Sequence, residues 1–185
     1  MSFVLLGILN SQAAGAGAAG AYDLLETTTL ASSASSVSFT GLGSYSDYKH
    51  LQIRAVTQSD RGSSGVSDTL ATFNSDTGAN YAMHWLQGNG SSVSSTNSTS
   101  RNNIYLNQAP LTSANGFNAF VADILDFSSS SKNTTVRSFA GGKNSTERIF
   151  LISGLYNSTS AITSMTITDE SNFVTGSRFS LYGVR

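Results

Sequence analysis

From Tyr22 onward, apolar residues recur at every second position in short runs, and no window keeps the i, i+3, i+4, i+7 spacing of an amphipathic helix beyond a turn or two. Alternation puts Val37 and Phe39 on one face of VSFTGL. It also puts Leu51, Ile53 and Ala55 on one face of HLQIRAV, with His50, Gln52 and Arg54 opposite. Similar runs cover Tyr22 to Leu30, Asp68 to Phe73, Tyr81 to Leu86, Ile104 to Leu106, Phe117 to Phe127, Thr134 to Ala140, Arg148 to Tyr156, Ile162 to Thr168 and Arg178 to Val184. Gly, Asn, Asp and Ser punctuate them. Such spacing predicts an all-β chain: a two-sheet antiparallel β-sandwich of jelly-roll, lectin-like topology. The Ser-, Asn- and Gly-rich stretches Gly88 to Asn103 and Ser128 to Asn133 read as solvated loops.

Ahead of this pattern stands an uncharged segment, Ser2 to Ala21, which a free-standing domain does not need. Its apolar residues Phe3, Val4, Leu5, Leu6, Ile8 and Leu9 precede a Gly/Ala stretch. No positive charge comes before the run, so a secretory leader is not expected. The run is also far shorter than the ~20 residues that cross a bilayer, and no membrane partner is expected. The division is therefore an N-terminal assembly arm, residues 1–21, and a β-sandwich domain, residues 22–185.

With 185 residues and 39% hydrophobic content the chain can bury one sizeable core. Only 11% of residues are charged, against about 25% in an ordinary globular domain. A surface wetted by hydroxyls and amides, with net charge −1, loses little charge solvation when it packs against neighbours. The ten Lys and Arg residues form no cluster, so no nucleic-acid partner is expected. There is no cysteine, and His50 and His84 lie well apart, which leaves no disulfide and no expected metal site.

Two runs break the alternation. FNAFVADILDF and RIFLISGLY are apolar at both parities, whereas a sandwich strand normally shows one face to water. Something is expected to cover the outer face: a loop, the arm, or another subunit. Phe150, Ile152 and Tyr156 are the candidate subunit interface, and a homo-oligomer is expected, a trimer favoured.

Candidate chemistry is sparse, and neither catalysis nor a cofactor is expected. Serines and both histidines are present, but no G-x-S-x-G elbow is. Asp169 and Glu170 are adjacent and would point to opposite faces of a strand, as would Asp123 and Asp126. Asn74, Asp76 and Gly78 in FNSDTGAN resemble part of a calcium loop, without its closing glutamate, and suit a turn. Tyr81, Trp85, Asn80 and Gln87 supply the aromatic and amide groups of a glycan site. Tyr81, Met83 and Trp85 nevertheless share one parity, which suits a core-facing strand better.

The segments SFVLLGILNSQAAGAGAAGAYDLLETTTL, SYSDYKHLQIRAV, FNSDTGANY, DILDFSSSSKNTT and above all the closing GSRFSLYGVR resemble small virion proteins of tailed phages, especially those of marine and freshwater bacteria, cyanophages included. The resemblance spans nearly the whole chain. It implies a jelly-roll or lectin-like sandwich on the exterior of a phage particle, without enzymatic activity and with other virion proteins, of capsid or tail, as partners. Capsid decoration, in which the protein cements the shell through many weak contacts, is the expected role. The alternatives are a tail-fibre or tail-tip component that binds a host glycan, and a free carbohydrate-binding module.

Overall fold

The computed structural model describes residues 20–62, 67–109, 116–143 and 147–185. The arm residues Phe3, Val4, Leu5, Leu6, Ile8 and Leu9 lie outside them. Among the described residues twelve strands follow one another: β1 (Tyr22–Thr29), β2 (Ala34–Thr40), β3 (His50–Thr57), β4 (Ser67–Phe73), β5 (Tyr81–Gly88), β6 (Val93–Arg101), β7 (Ile104–Ala109), β8 (Asn118–Leu125), β9 (Thr134–Lys143), β10 (Glu147–Tyr156), β11 (Ser164–Phe173) and β12 (Arg178–Val184). One turn of 3-10 helix, Leu42–Tyr45, is the only helical element among the described residues.

The strands form two antiparallel sheets, as alternation predicted. The large sheet runs β1-β12-β3-β8-β9-β10-β5-β6 and the small one β2-β11-β4-β7. The inward parities named above meet between them: Val37 and Phe39, Leu51, Ile53 and Ala55, with Phe73, Phe120, Ile124, Ile167, Phe173, Phe179 and Leu181, all buried. The strands divide eight to four, and β8, β9 and β10 run as a meander inside the larger sheet.

β6 corrects the sequence reading. Within the stretch expected to be a loop, Val93–Arg101 pairs with β5 from Val93↔Gly88 to Arg101↔Tyr81. Asn89 makes the turn, its Oδ1 accepting from Ser91 N at 3.0 Å and Ser92 N at 2.8 Å, with Gly90 at φ 85. β6 sits at the sheet edge and is exposed along its length, so backbone pairing holds it and no apolar periodicity marks it.

Candidate functional site

Register across the large sheet assembles a feature that no single strand displays. Arg54 of β3 stands opposite Val121 of β8, Val121 opposite Phe139 of β9, Phe139 opposite Leu151 of β10, and Leu151 opposite Leu86 of β5. Opposed residues in neighbouring strands point to the same side of a sheet. The result is one lateral row of four apolar side chains on the face turned away from the small sheet. All four are exposed: Val121 39%, Phe139 60%, Leu151 55% and Leu86 46%. Two residues further along, the next row reads Ala119, Gly141, Ile149, Gly88, Val93, with Ile149 58% and Val93 73% exposed. Pairing is unshifted from β3 through β8, β9 and β10 to β5, so the two rows lie on one continuous lattice.

The half of this face toward β1 is different. Arg54 lies over the rings of Tyr22 and Tyr182, at 4.9 and 4.4 Å from their centroids. Its Nε donates to Gln52 Oε1 at 2.7 Å, and Gln52 Nε2 donates to Asp123 Oδ1 at 2.6 Å. Polar groups there already have partners. The row beside the apolar one carries Asp123, Arg137, Ser153 and His84 in sequence across the strands, a border with charges of both signs.

The double-sided hydrophobicity of RIFLISGLY is therefore real, but its faces are the reverse of those expected. Phe150, Ile152 and Tyr156 are 5%, 2% and 2% exposed and belong to this chain's own core, with Tyr156 stacked on Tyr81 at 4.9 Å. They are not the subunit interface. Ile149 and Leu151, one position out of phase, face outward instead.

The glycan candidates do not converge on a cleft. Tyr81 is buried; its hydroxyl accepts from Phe73 N at 3.0 Å and donates to Asp76 O at 2.9 Å, and burial pushes its pKa up to about 12. Asn80 donates to Asp76 Oδ2 at 2.9 Å and Gln87 to Ser94 Oγ at 2.8 Å. Trp85 is half-buried against Tyr105, centroids 5.3 Å apart. The cavity that these two rings line with Gln108, Phe150 and Ile152 encloses about 10 Å³, space for roughly one water and none for a sugar ring.

Asp76, Asp169, Glu170, Asp68 and His50 are held as parts of the fold, while among the described residues the side-chain amide of Asn107 and the Oδ2 of Asp169 are buried without a hydrogen-bond partner. Both carboxylate oxygens of Asp76 accept protein hydrogen bonds, from Gly78 N at 2.8 Å and from Asn80 Nδ2 and Tyr156 Oη at 2.9 and 3.0 Å, which is the turn reading of FNSDTGAN. Asp169 and Glu170 diverge as expected: Asp169 is buried and accepts from Ser59 and Ser67, each at 2.6 Å, while exposed Glu170 pairs with Arg61. Asp68 accepts from Tyr105 Oη and from Gln108 Nε2, the latter at 2.9 Å, and burial pushes its pKa up. His50 Nδ1 accepts from Asp126 N at 2.9 Å. Among the described residues no group of three His, Cys, Asp or Glu side chains is placed to hold a metal ion.

Comparison with known proteins finds no matching family model, no matching curated protein and no matching solved structure.

Proposed function

We propose that this protein is a structural component of a virion, a capsid decoration protein carried on the exterior of a tailed-phage particle. The observation that carries the reading is the apolar lattice of Val121, Phe139, Leu151, Leu86, Ile149 and Val93, which no other described residue covers. Contiguous apolar surface of this extent marks an interaction site in a soluble protein. The low charge of the chain acts in the same direction, since close packing then strips few ions of water. In this reading the arm Phe3 to Leu9 reaches a neighbouring capsid subunit, the sandwich covers the shell, and many copies multiply modest contacts.

The test is made on intact particles. Antibody labelling of the head is the expected result; labelling of the tail overturns decoration, and absence from purified particles overturns the structural reading as a whole. Deleting Met1 to Gly20 is expected to leave the sandwich folded and to abolish incorporation.

A further inference from the structure

We propose that the outer face of the large sheet is a self-association surface, on which a second copy of this chain packs face to face about a two-fold axis. This rests on the assembly reading and names one partner in it.

Size is the first argument. The six side chains leave roughly 600 Å² in contact with water, at the upper end of what a monomer normally exposes in one patch and most of the ~800 Å² that each partner gives to a standard interface. The bordering Arg137, Ser153 and Asp123 supply the remainder as a polar rim.

Composition of the rest of the surface is the second. Among the described residues the other exposed large hydrophobics are Tyr22, Leu24 and Phe117; Tyr22 already lies under Arg54, and Phe117 stands apart beside Gly176. A ring of three requires two different complementary patches on each copy. Among the described residues there is one apolar lattice, and one lattice can be buried by its own copy only in an isologous, two-fold contact.

Shape and charge are the third. Ile149 stands between two glycines, Gly141 and Gly88, directly opposite it in the neighbouring strands. The Ile149 side chain lies along both, its Cγ2 3.3 Å from where a Cβ of Gly141 would stand and its Cγ1 3.6 Å from that of Gly88, and so forms a raised apolar ridge. Face-to-face packing seats the apolar rows of a second copy against this ridge. The border carries Asp123 beside Arg137, so a copy turned by half a revolution meets charges of both signs, and a net charge of −1 gives little long-range repulsion.

Light scattering and sedimentation of the full chain over a concentration series test this. The expected result is a dimer whose dissociation constant rises about a hundredfold in Leu151→Glu and in Phe139→Ser, the size of a central interface residue's contribution. Both positions are exposed, so the variants keep the circular dichroism of the parent; Leu86→Gln provides a third substitution should either lower the Tm. A monomer at every concentration, a trimer, or a dimer that survives all three substitutions overturns the inference. So does a dimer lost on deletion of Met1 to Gly20, which would make the arm the occupant of this face. Failure of the assembly reading shows elsewhere, as absence from purified particles whatever the state in solution.

Discussion

Aspartates here are held mainly by neutral donors, and that sets the acid behaviour of the fold. Asp60 accepts from Ser171 Oγ at 2.8 Å, from Asn172 N and Nδ2 at 3.0 Å each, and from Ser33 Oγ at 3.1 Å. These bonds, Asn172's first, hold its pKa below the ordinary 3.8. Asn80 does the same for Asp76, and Tyr48 with Arg185 for Asp23. A carboxylate with a lowered folded-state pKa contributes stability that is present above its unfolded value and lost as pH falls through the folded one. Asp68, raised by burial, has the opposite sign: its contribution is complete below its unfolded value and drains as pH rises through the folded one. With Asp126, lowered first by its hydrogen bond from Lys132, the balance is four against one, and the expected outcome is a Tm that declines as pH drops below about 4. Asp60→Asn should lower Tm at neutral pH and make that decline shallower, because one titrating group is gone. Thermal melts between about pH 7 and pH 2 decide it, and a Tm that holds level or climbs on acidification would contradict the assignment.

The closing strand shows how much an element's sequence encodes. In GSRFSLYGVR, Gly176 takes φ 87 in the turn that enters β12, Phe179 meets Phe173 edge-on at 4.9 Å, Leu181 is fully buried, and Tyr182 lies under Arg54. Gly183 has the ring of Tyr48 against it: a Cβ there would come within 2.5 Å of the ring atoms. That ring has little room to retreat, since its hydroxyl donates to Asp23 Oδ2 at 2.9 Å and Arg185 stacks on its face at 4.7 Å. Gly183→Ala should therefore cost about 1–3 kcal/mol, as overpacking does, and appear as a Tm loss of several degrees in a chain of this size. An unchanged Tm would mean that the ring gives way freely.

Strands with one clean parity were legible in the sequence because a single apolar face fixes their phase. β10 was legible as a strand apolar on both sides but not in phase: RIFLISGLY carries one polar residue on each parity, Arg148 with Phe150 and Ile152 and Ser153 with Ile149 and Leu151, and only pairing with β9, where Ser138 and Ala140 are buried, sends Phe150 and Ile152 inward. The candidate surface was less legible still. Val121, Phe139, Leu151 and Leu86 lie on four strands, and long-range register alone brings them into a row.

At the scale of the whole molecule that register is also a kinetic constraint. In the large sheet only β8-β9, β9-β10 and β5-β6 join consecutive strands, and in the small sheet every pairing joins strands distant in sequence. β12, the last strand, is inserted between β1 and β3, pairing Tyr22 with Val184 and His50 with Val184 on its two sides. Loop closure must be spent before such contacts reward it, which places refolding in the millisecond-to-second range of non-local β proteins. The meander β8-β9-β10 can form early from hairpins; β12 can only arrive once β1 and β3 are in place. Gly183→Ala, acting in β12, should then leave the refolding rate nearly unchanged and raise the unfolding rate by almost the whole of its stability loss. Trp85, the only tryptophan and half-buried against Tyr105, provides the fluorescence signal for stopped-flow measurement of both limbs. Refolding slowed in proportion to the stability loss would instead put β12 in the folding nucleus, and the termini would have to meet before the meander forms.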